Sequence, residues 1–355
     1  MIKKHEGGTV RLRDVAAAAG VSQGTASNVF NRPEAVREEV RDRVMAAAGK
    51  LGYAGPSLTG RLLRAGKVNA IGVATVEPMH YFFDDPWARA IMAEISTVCD
   101  ARGAGVSLVS AHNQERLAWN IQNALVDGFV LLCVGRAEVM VQLTRQRDLP
   151  FIALALDSNE PSVPSLGIDN IGGARAAAEH VLGLGHRRVA VLAIEFSADH
   201  VGLVERDAVL GSIYTSTRDR VLGYWAALEA AGIELSTVPV FETRGDRESV
   251  EKGMDTLFGG KAPPTAILCM SDHVALLAMD WLKAHGRSVP EDVSIVGFDG
   301  VPEAARSSPG LTTMAQPLRQ LAERAVAAIL DGAMPGAEES LAVTLMVRGS
   351  TARPG

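Results

Sequence analysis

Several things are scarce or missing from this chain, and each absence excludes a class of function. Only three cysteines occur in 355 residues, Cys99, Cys133 and Cys269, each in or near an apolar segment and none in a Cys-x-x-Cys pair. Buried, reduced thiols are expected, with no metal site and no dithiol redox site. No uninterrupted apolar run approaches the ~20 residues needed to span a bilayer. The opening MIKKHEGGTVRLRD has no apolar export core, so a cytoplasmic protein without a membrane partner is expected. The motifs GxSxG, HExxH and the P-loop lysine are missing, and GLGHRRV at 183–189 lacks the GxGxxG spacing. That stretch reads as a helix end, with Gly185 as the stop and His186 in the turn to the next strand. Asp199 and His200 beside Glu195 lack paired-ligand spacing. Neither catalytic residues nor a cofactor are expected.

What is present describes a globular chain of two or three compact units, with 47% hydrophobic and 21% charged residues. The net charge of −6 conceals an asymmetry. Residues 1–67 hold twelve Lys/Arg against six Asp/Glu, a net of +6, which leaves −12 for the remainder. A positive module on an acidic body suits phosphate contact at one end, with the body held off the nucleic acid. A solvated charged helix face is the plainer explanation for part of that excess.

The positive end contains LRDVAAAAGVSQGTASNVFN, residues 12–31. Val15, Ala18 and Ala19 recur at helical spacing, Gly20 permits the positive φ of a sharp turn, and Ser22 is placed as the N-cap of a second helix through Thr25, Ala26 and Val29. A third helix follows, with Val36, Val40, Val44, Ala47 and Leu51 on one face. Two helices about a glycine turn form either an ordinary αα corner or a helix-turn-helix. The run DVAAAAGVSQGTASNVFNRP followed by VREEVRDRVMAAAGKLGY resembles the headpiece of the lactose-repressor (LacI/GalR) family of bacterial transcription regulators.

The resemblance implies that residues 1–55 are a DNA-binding headpiece whose second helix enters the major groove, with Ser22, Gln23, Gly24, Thr25, Ser27, Asn28 and Asn31 at the DNA. Gln23 and Asn28 are the best base readers, since a side-chain amide pairs bidentately with adenine, whereas Gly24 has no side chain to read with. Family members often carry Arg at the Asn28 position, so a guanine contact there is not implied. Residues 56–67 resemble the family's hinge helix, with Leu63 as a minor-groove wedge flanked by Arg64. One extra residue stands between Tyr53 and Pro56 relative to the common pattern. Packing of Leu63 on the body is the competing role.

From Ala70 the pattern becomes β-α alternation. Near-continuous apolar strands such as AIGVATV, GFVLLCV and RVAVLAI are separated by helical stretches, which implies parallel sheets covered on both faces. The resemblance supplies the rest of the expected fold class: an all-α headpiece and a two-lobed, periplasmic-binding-protein-like α/β core at 68–355 with three crossovers. Its N-lobe takes about 68–158 and 302–332, its C-lobe about 159–301 and 333–355, and two crossings fall at 156–164 and 301–317. Ligands of open α/β sheets sit beyond the carboxyl ends of strands, where Asp157, Ser271, Asp272 and Asp299 stand. Each has a plain role as a cap or turn anchor. The resemblance favours effector contact for Asp157 and Asp299, and for Ser271 in the place of the family's usual Asn. Arg220 has the family's spacing to Gly223, with a surface charge as its alternative. Trp87 follows Pro86 as a stacking aromatic or a core residue. Arg247 takes the place of an aromatic over the ligand, and an inward Arg247 makes a charged effector more plausible.

The segment 195–217 exceeds the family's usual loop, and is expected to cover the cleft mouth or extend the lobe surface. The resemblance implies a homodimeric regulator, most simply a repressor, on near-palindromic double-stranded operator DNA. Its small effector would be carbohydrate-like. No tetramerising helix is expected after VTLMVRGS. An exported solute-binding protein, or an enzyme on a similar fold, is the alternative, and salt-sensitive duplex binding separates the regulator from both.

Overall fold

The computed structural model describes residues 10–55, 67–132, 138–154, 162–197, 200–336 and 339–355, in two compact units divided at Val68/Asn69. Leu63, Arg64, Cys133, Asp157 and Asp199 lie outside the described residues.

The first unit is three helices. In α1 (Leu12–Ala19), the Asp14 carboxylate accepts the Arg11 amide at 2.8 Å. Gly20 then takes φ 64°, and the Val21 amide closes the turn on the Ala16 carbonyl. In α2 (Gln23–Asn31), Ser22 caps the helix by accepting the Thr25 amide at 3.0 Å. The third helix, α3 (Glu38–Leu51), ends at Gly52 with φ 68°. The core is Val15, Ala16, Ala19, Ala26, Val29, Val44, Ala47 and Ala48, with Phe30 and Tyr53 meeting edge to face. Two expectations shift. Ala18 and Leu51 are exposed, and Ala16 and Ala48 are buried instead. Because α1 touches both other helices, its buried face is set by two neighbours and not by one stripe. Val36 precedes α3 and is only half-buried.

The second unit has two sheets. Its first elements are β1 (Ala70–Thr75), α4 (Tyr81–Asp84), α5 (Pro86–Ala101), β2 (Gly105–Ser110), α6 (Gln114–Asn123), β3 (Gly128–Leu132), α7 (Glu138–Arg145), β4 (Phe151–Leu154) and β5 (Ser165–Ile168). The chain then enters α8 (Asn170–Gly183), β6 (Val189–Ala193), β7 (Gly202–Leu203), α9 (Arg206–Leu210), α10 (Thr215–Ala230), β8 (Val240–Glu242) and α11 (Arg247–Phe258). It continues through β9 (Ala266–Cys269), α12 (Asp272–Ala284), β10 (Ser294–Asp299), α13 (Pro302–Arg306) and β11 (Thr312–Ala315). The last elements are α14 (Leu318–Asp331), β12 (Glu339–Leu341) and β13 (Thr344–Met346).

Strand order in the N-lobe is β12-β5-β4-β3-β1-β2, parallel throughout. The C-lobe order is β13-β11-β10-β9-β6-β8-β7, parallel except for the two edge strands. The central strands are buried on both faces, which explains their unbroken apolar runs. The chain passes between lobes three times: after β5, after β11 and after β12. The first crossing lies beyond the 156–164 of the sequence reading, and the second, after Ala315, falls at the very end of its 301–317. Leu154 pairs with Leu166, so β5 still belongs to the N-lobe, and Val296 pairs with Thr312, so β11 still belongs to the C-lobe. Both strands are four residues long, and Ser and Thr in them weaken the apolar signal.

Residues 347–355 are fastened to the C-lobe. The Ser350 hydroxyl donates to the Ile295 carbonyl and accepts the Thr312 amide. Buried His186 meets the Ala352 carbonyl, Thr265 and Ser294. Segment 195–217 does two things: β7 extends the sheet edge, and residues 214–217 face the cleft. It is held by buried Glu242, whose carboxylate accepts the Phe196 and Ser197 amides and meets His200 Nδ1 at 2.6 Å.

Candidate functional site

In the first unit, the outward side of α2 is a polar stripe. Ala26 and Val29 take the inner side, while Gln23, Gly24, Asn28 and Asn31 are exposed and Thr25 and Ser27 are half-buried. Ser22 and Thr25 are tied to one another, hydroxyl to hydroxyl at 2.9 Å, and Asn31 Nδ2 donates to Ser27 Oγ. Ser22 is thus first a cap. Among the described residues, no hydrogen bond engages the side-chain amides of Gln23 and Asn28. They stand five residues apart with both donors and acceptors available, as base-edge contact requires.

In the second unit, a cavity of about 800 Å³ lies between the lobes. The N-lobe contributes the turn after β1 and the start of α5. The C-lobe contributes the start of α10, residues 244–246, and the carboxyl ends of β9 and β10. Parallel strands place these ends together, which is why the polar residues of distant segments converge.

The floor is a chain of hydrogen bonds running from one lobe to the other. Trp87 Nε1 donates to Gln316 Oε1 at 3.0 Å, and Gln316 Nε2 donates to Asp299 Oδ1 at 2.7 Å. Asp299 faces Arg220 Nη1 at 3.9 Å, and both residues are buried. Arg220 Nε donates to Asn170 Oδ1 at 2.9 Å, Nη1 donates to the Met270 carbonyl, and the guanidinium lies over the Phe298 ring. Asp299 itself has φ 131°, a conformation costly for a side-chain-bearing residue. Asp272 holds that turn: its carboxylate accepts the Gly300 and Val301 amides and the Thr313 hydroxyl.

Burial raises the Asp299 carboxyl well above the usual carboxylate range. Arg220 opposes this, and the neighbouring charges of Asp272 and Asp85 add to it. Burial also raises Asp85, with the Ala88 amide opposing. A second link joins the lobes beside the cleft, where Arg89 of α5 pairs with Glu303 of α13 at 2.5 Å and donates to the Phe83 carbonyl.

The expected effector residues separate into three groups. Trp87, Arg220, Ser271 and Asp299 line the cavity. Ser271 also caps α12 by accepting the Val274 amide, so its plainer role is present as well. Asp157 is outside the described residues. Arg247 is not brought to the cleft: it is exposed and paired with Asp280 at 2.9 Å and Glu251 at 3.7 Å. The cause is Asp246, which caps α11 and starts the helix there, so Arg244 lines the cavity in its place. Sequence reasoning missed Asn170 and Gln316. Each follows a short strand at a lobe crossing, and only the placement of that crossing gives either residue a role.

Residues 11–55 match the bacterial regulatory proteins of the lacI family, and residues 178–351 match the periplasmic binding protein-like domain. The chain is 38% identical over 350 residues to an HTH-type transcriptional regulator of Mycobacterium tuberculosis (strain ATCC 25618 / H37Rv), covering 97% of each chain. It is similar to the lac repressor dimer bound to operator and the anti-inducer ONPF, with TM-score 0.74 and 27% identity over 97% of this chain and 99% of that one. It is also similar to a complex of the transcriptional regulator CelR with cellobiose, with TM-score 0.64 and 28% identity over 96% of this chain and 100% of that one.

Proposed function

The chain belongs to the lacI family of bacterial regulatory proteins, transcription regulators and not enzymes, and from that premise we propose a dimeric repressor controlled by a small polyhydroxylated effector. The observation that carries this reading is the bonded floor of the cleft. Trp87 belongs to one lobe, Asp299 and Arg220 to the other, and Gln316 lies on the crossover that joins them. A ligand that bonds to Asp299 or to Trp87 Nε1 competes with Gln316 for them, and so interacts differently with different lobe angles. Only such a differential affinity lets an effector shift a conformational equilibrium.

The exposed amides of Gln23 and Asn28 would read adenine in the major groove. Two headpieces on the half-sites of a near-palindrome would place Leu63 and Arg64, outside the described residues, at its centre. Among the described residues, no helix is long and apolar enough to cross a membrane. A cytoplasmic site of action is part of the same proposal.

The test is selection of a duplex from a random pool by the full chain, followed by titration. Gln23→Ala and Asn28→Ala should each weaken the selected operator by about 1–3 kcal/mol and relax one position of its sequence. Unchanged affinity in both variants, or no duplex recovered in dilute buffer, refutes the reading.

A further inference from the structure

The long segment 195–217 is tied to the C-lobe sheet at one carboxylate that lies behind the cleft. Glu242 ends β8, is 1% exposed and does not line the cavity, although residues 244–246 just beyond it do. A buried carboxylate is costly unless its oxygens are bonded. Here Oε1 accepts the Phe196 amide at 2.6 Å and the Ser197 amide at 2.9 Å, and Oε2 meets His200 Nδ1. From Phe196 the hydrogen bonds run on toward the cleft. The Phe196 carbonyl accepts the Ser212 hydroxyl at 3.0 Å, and Ser212 Oγ accepts the Tyr214 amide at 3.1 Å. Phe196 and Ser212 are buried, so these bonds form away from competing water. Tyr214 opens α10, and residues 214–217 stand in the cavity wall. Farther along, α10 is held by other contacts: Gly223 lies against the α8 backbone, and Arg206 of α9 lies over the Trp225 ring. The first turn has no side-chain cap, and the bond from Tyr214 to Ser212 sets where it begins.

Resting on the effector reading above, we infer that Glu242 and Ser212 are positioning residues for the effector: neither touches the cavity, and together they set where residues 214–217 stand in its wall. Loss of either shifts that wall and weakens a ligand seated against it, while the sheet behind stays folded. Two backbone amides need only an oxygen to accept them, so Glu242→Gln preserves the tie and Glu242→Ala removes it. Ser212→Ala removes a single hydroxyl farther along the same chain of bonds.

The experiment is amide hydrogen exchange of the full chain, without ligand, in these three variants and the parent. Peptides spanning 212–222 report the cleft wall, and peptides spanning 186–194 and 266–270 report the sheet behind it. In Ser212→Ala and Glu242→Ala, exchange at 212–222 should rise about tenfold, the equivalent of one lost hydrogen bond. The sheet peptides should hold, and Glu242→Gln should exchange like the parent. Ser212→Ala is the deciding chain should Glu242→Ala loosen the whole lobe. Unchanged exchange at 212–222 in both alanine chains overturns the inference. So does an equal rise in the sheet peptides of both, which would make the two residues general supports of the lobe. Glu242→Gln exchanging like Glu242→Ala overturns it as well.

The same chains are then titrated with glucose, ribose and cellobiose, followed by thermal shift and operator affinity. A sugar bound by the parent should bind Ser212→Ala about tenfold more weakly and Glu242→Gln as before. Equal affinity in Ser212→Ala overturns the inference. If no sugar alters operator affinity while exchange at 212–222 responds as stated, the effector reading fails and the tie from Glu242 to the cleft wall stands.

Discussion

Arg220→Met tests the buried pair at the cleft floor. Methionine keeps much of the side-chain volume and removes the charge, leaving the Asp299 carboxylate buried with its cation gone. At 3.9 Å between Arg220 Nη1 and Asp299 Oδ1, an effective dielectric of ~20 gives an attraction of about 4 kcal/mol. Removing one member of a buried pair typically costs about 3–5 kcal/mol, because the remaining charge stays desolvated. The open cavity admits water near Asp299, so the lower part of that range, about 3 kcal/mol, is expected. Replacing the carboxylate as well removes the orphan: Asp299→Asn in the Arg220→Met chain should regain about 1–2 kcal/mol of the loss. The assay is urea unfolding of all four chains of the cycle, followed by tryptophan fluorescence and far-ultraviolet circular dichroism. Additive losses in the double variant would refute the argument, since they would mean that Arg220 acts through packing over Phe298 and not through charge.

Other consequences can be checked in the same chain. Gly223→Ala would place a Cβ 2.3 Å from the Ile171 carbonyl oxygen and 3.0 Å from the Arg175 amide. Backbone cannot step aside, so α8 and α10 must part, at a cost of about 1–3 kcal/mol in urea unfolding; an unchanged midpoint would mean the helices have slack. Burial lowers the His186 pKa below its ordinary 6.5. Below that pH the unfolded chain therefore binds more protons than the native one, and stability falls as pH drops from 6.5 toward the native pKa. His186→Asn should flatten that slope in urea midpoints, with the remainder left to His180, which burial also lowers; a slope unaltered by the substitution would assign it elsewhere. Arg247→Ala should leave effector response unchanged in operator titrations, because its guanidinium is exposed and paired with Asp280 and Glu251, away from the cleft.

The headpiece was legible almost residue by residue. Its signals are local: a glycine at positive φ, a serine cap, and small residues at helical spacing all act within one or two turns. Even so, Ala18 and Ala16 exchanged roles, because a helix with two partners buries a face no single stripe announces. The long central strands were legible for the opposite reason, since burial on both faces writes a continuous apolar run. Short strands such as β5 and β11 carry Ser and Thr and were absorbed into the crossings, which moved both lobe boundaries. In the cleft, Arg220 and Asp299 were found through resemblance, whereas Gln316 and Asn170 depend on tertiary placement that no spacing encodes. Arg247 was misplaced because the cap at Asp246 starts α11 at Arg247 and leaves its side chain on the exposed face with Glu251 and Asp280.

Among the described residues, β12 and β13 complete two different sheets late in the chain: β12 joins the N-lobe edge beside β5, and β13 joins the C-lobe edge beside β11. A nascent chain that has emerged only as far as α14 therefore carries two unfinished sheet borders, each a row of unsatisfied amides and carbonyls open to pairing with a neighbour. Neither lobe can mature ahead of the other, so a ribosome stalled before residue 339 leaves both incomplete together, and truncation near this end should yield aggregation instead of a surviving half.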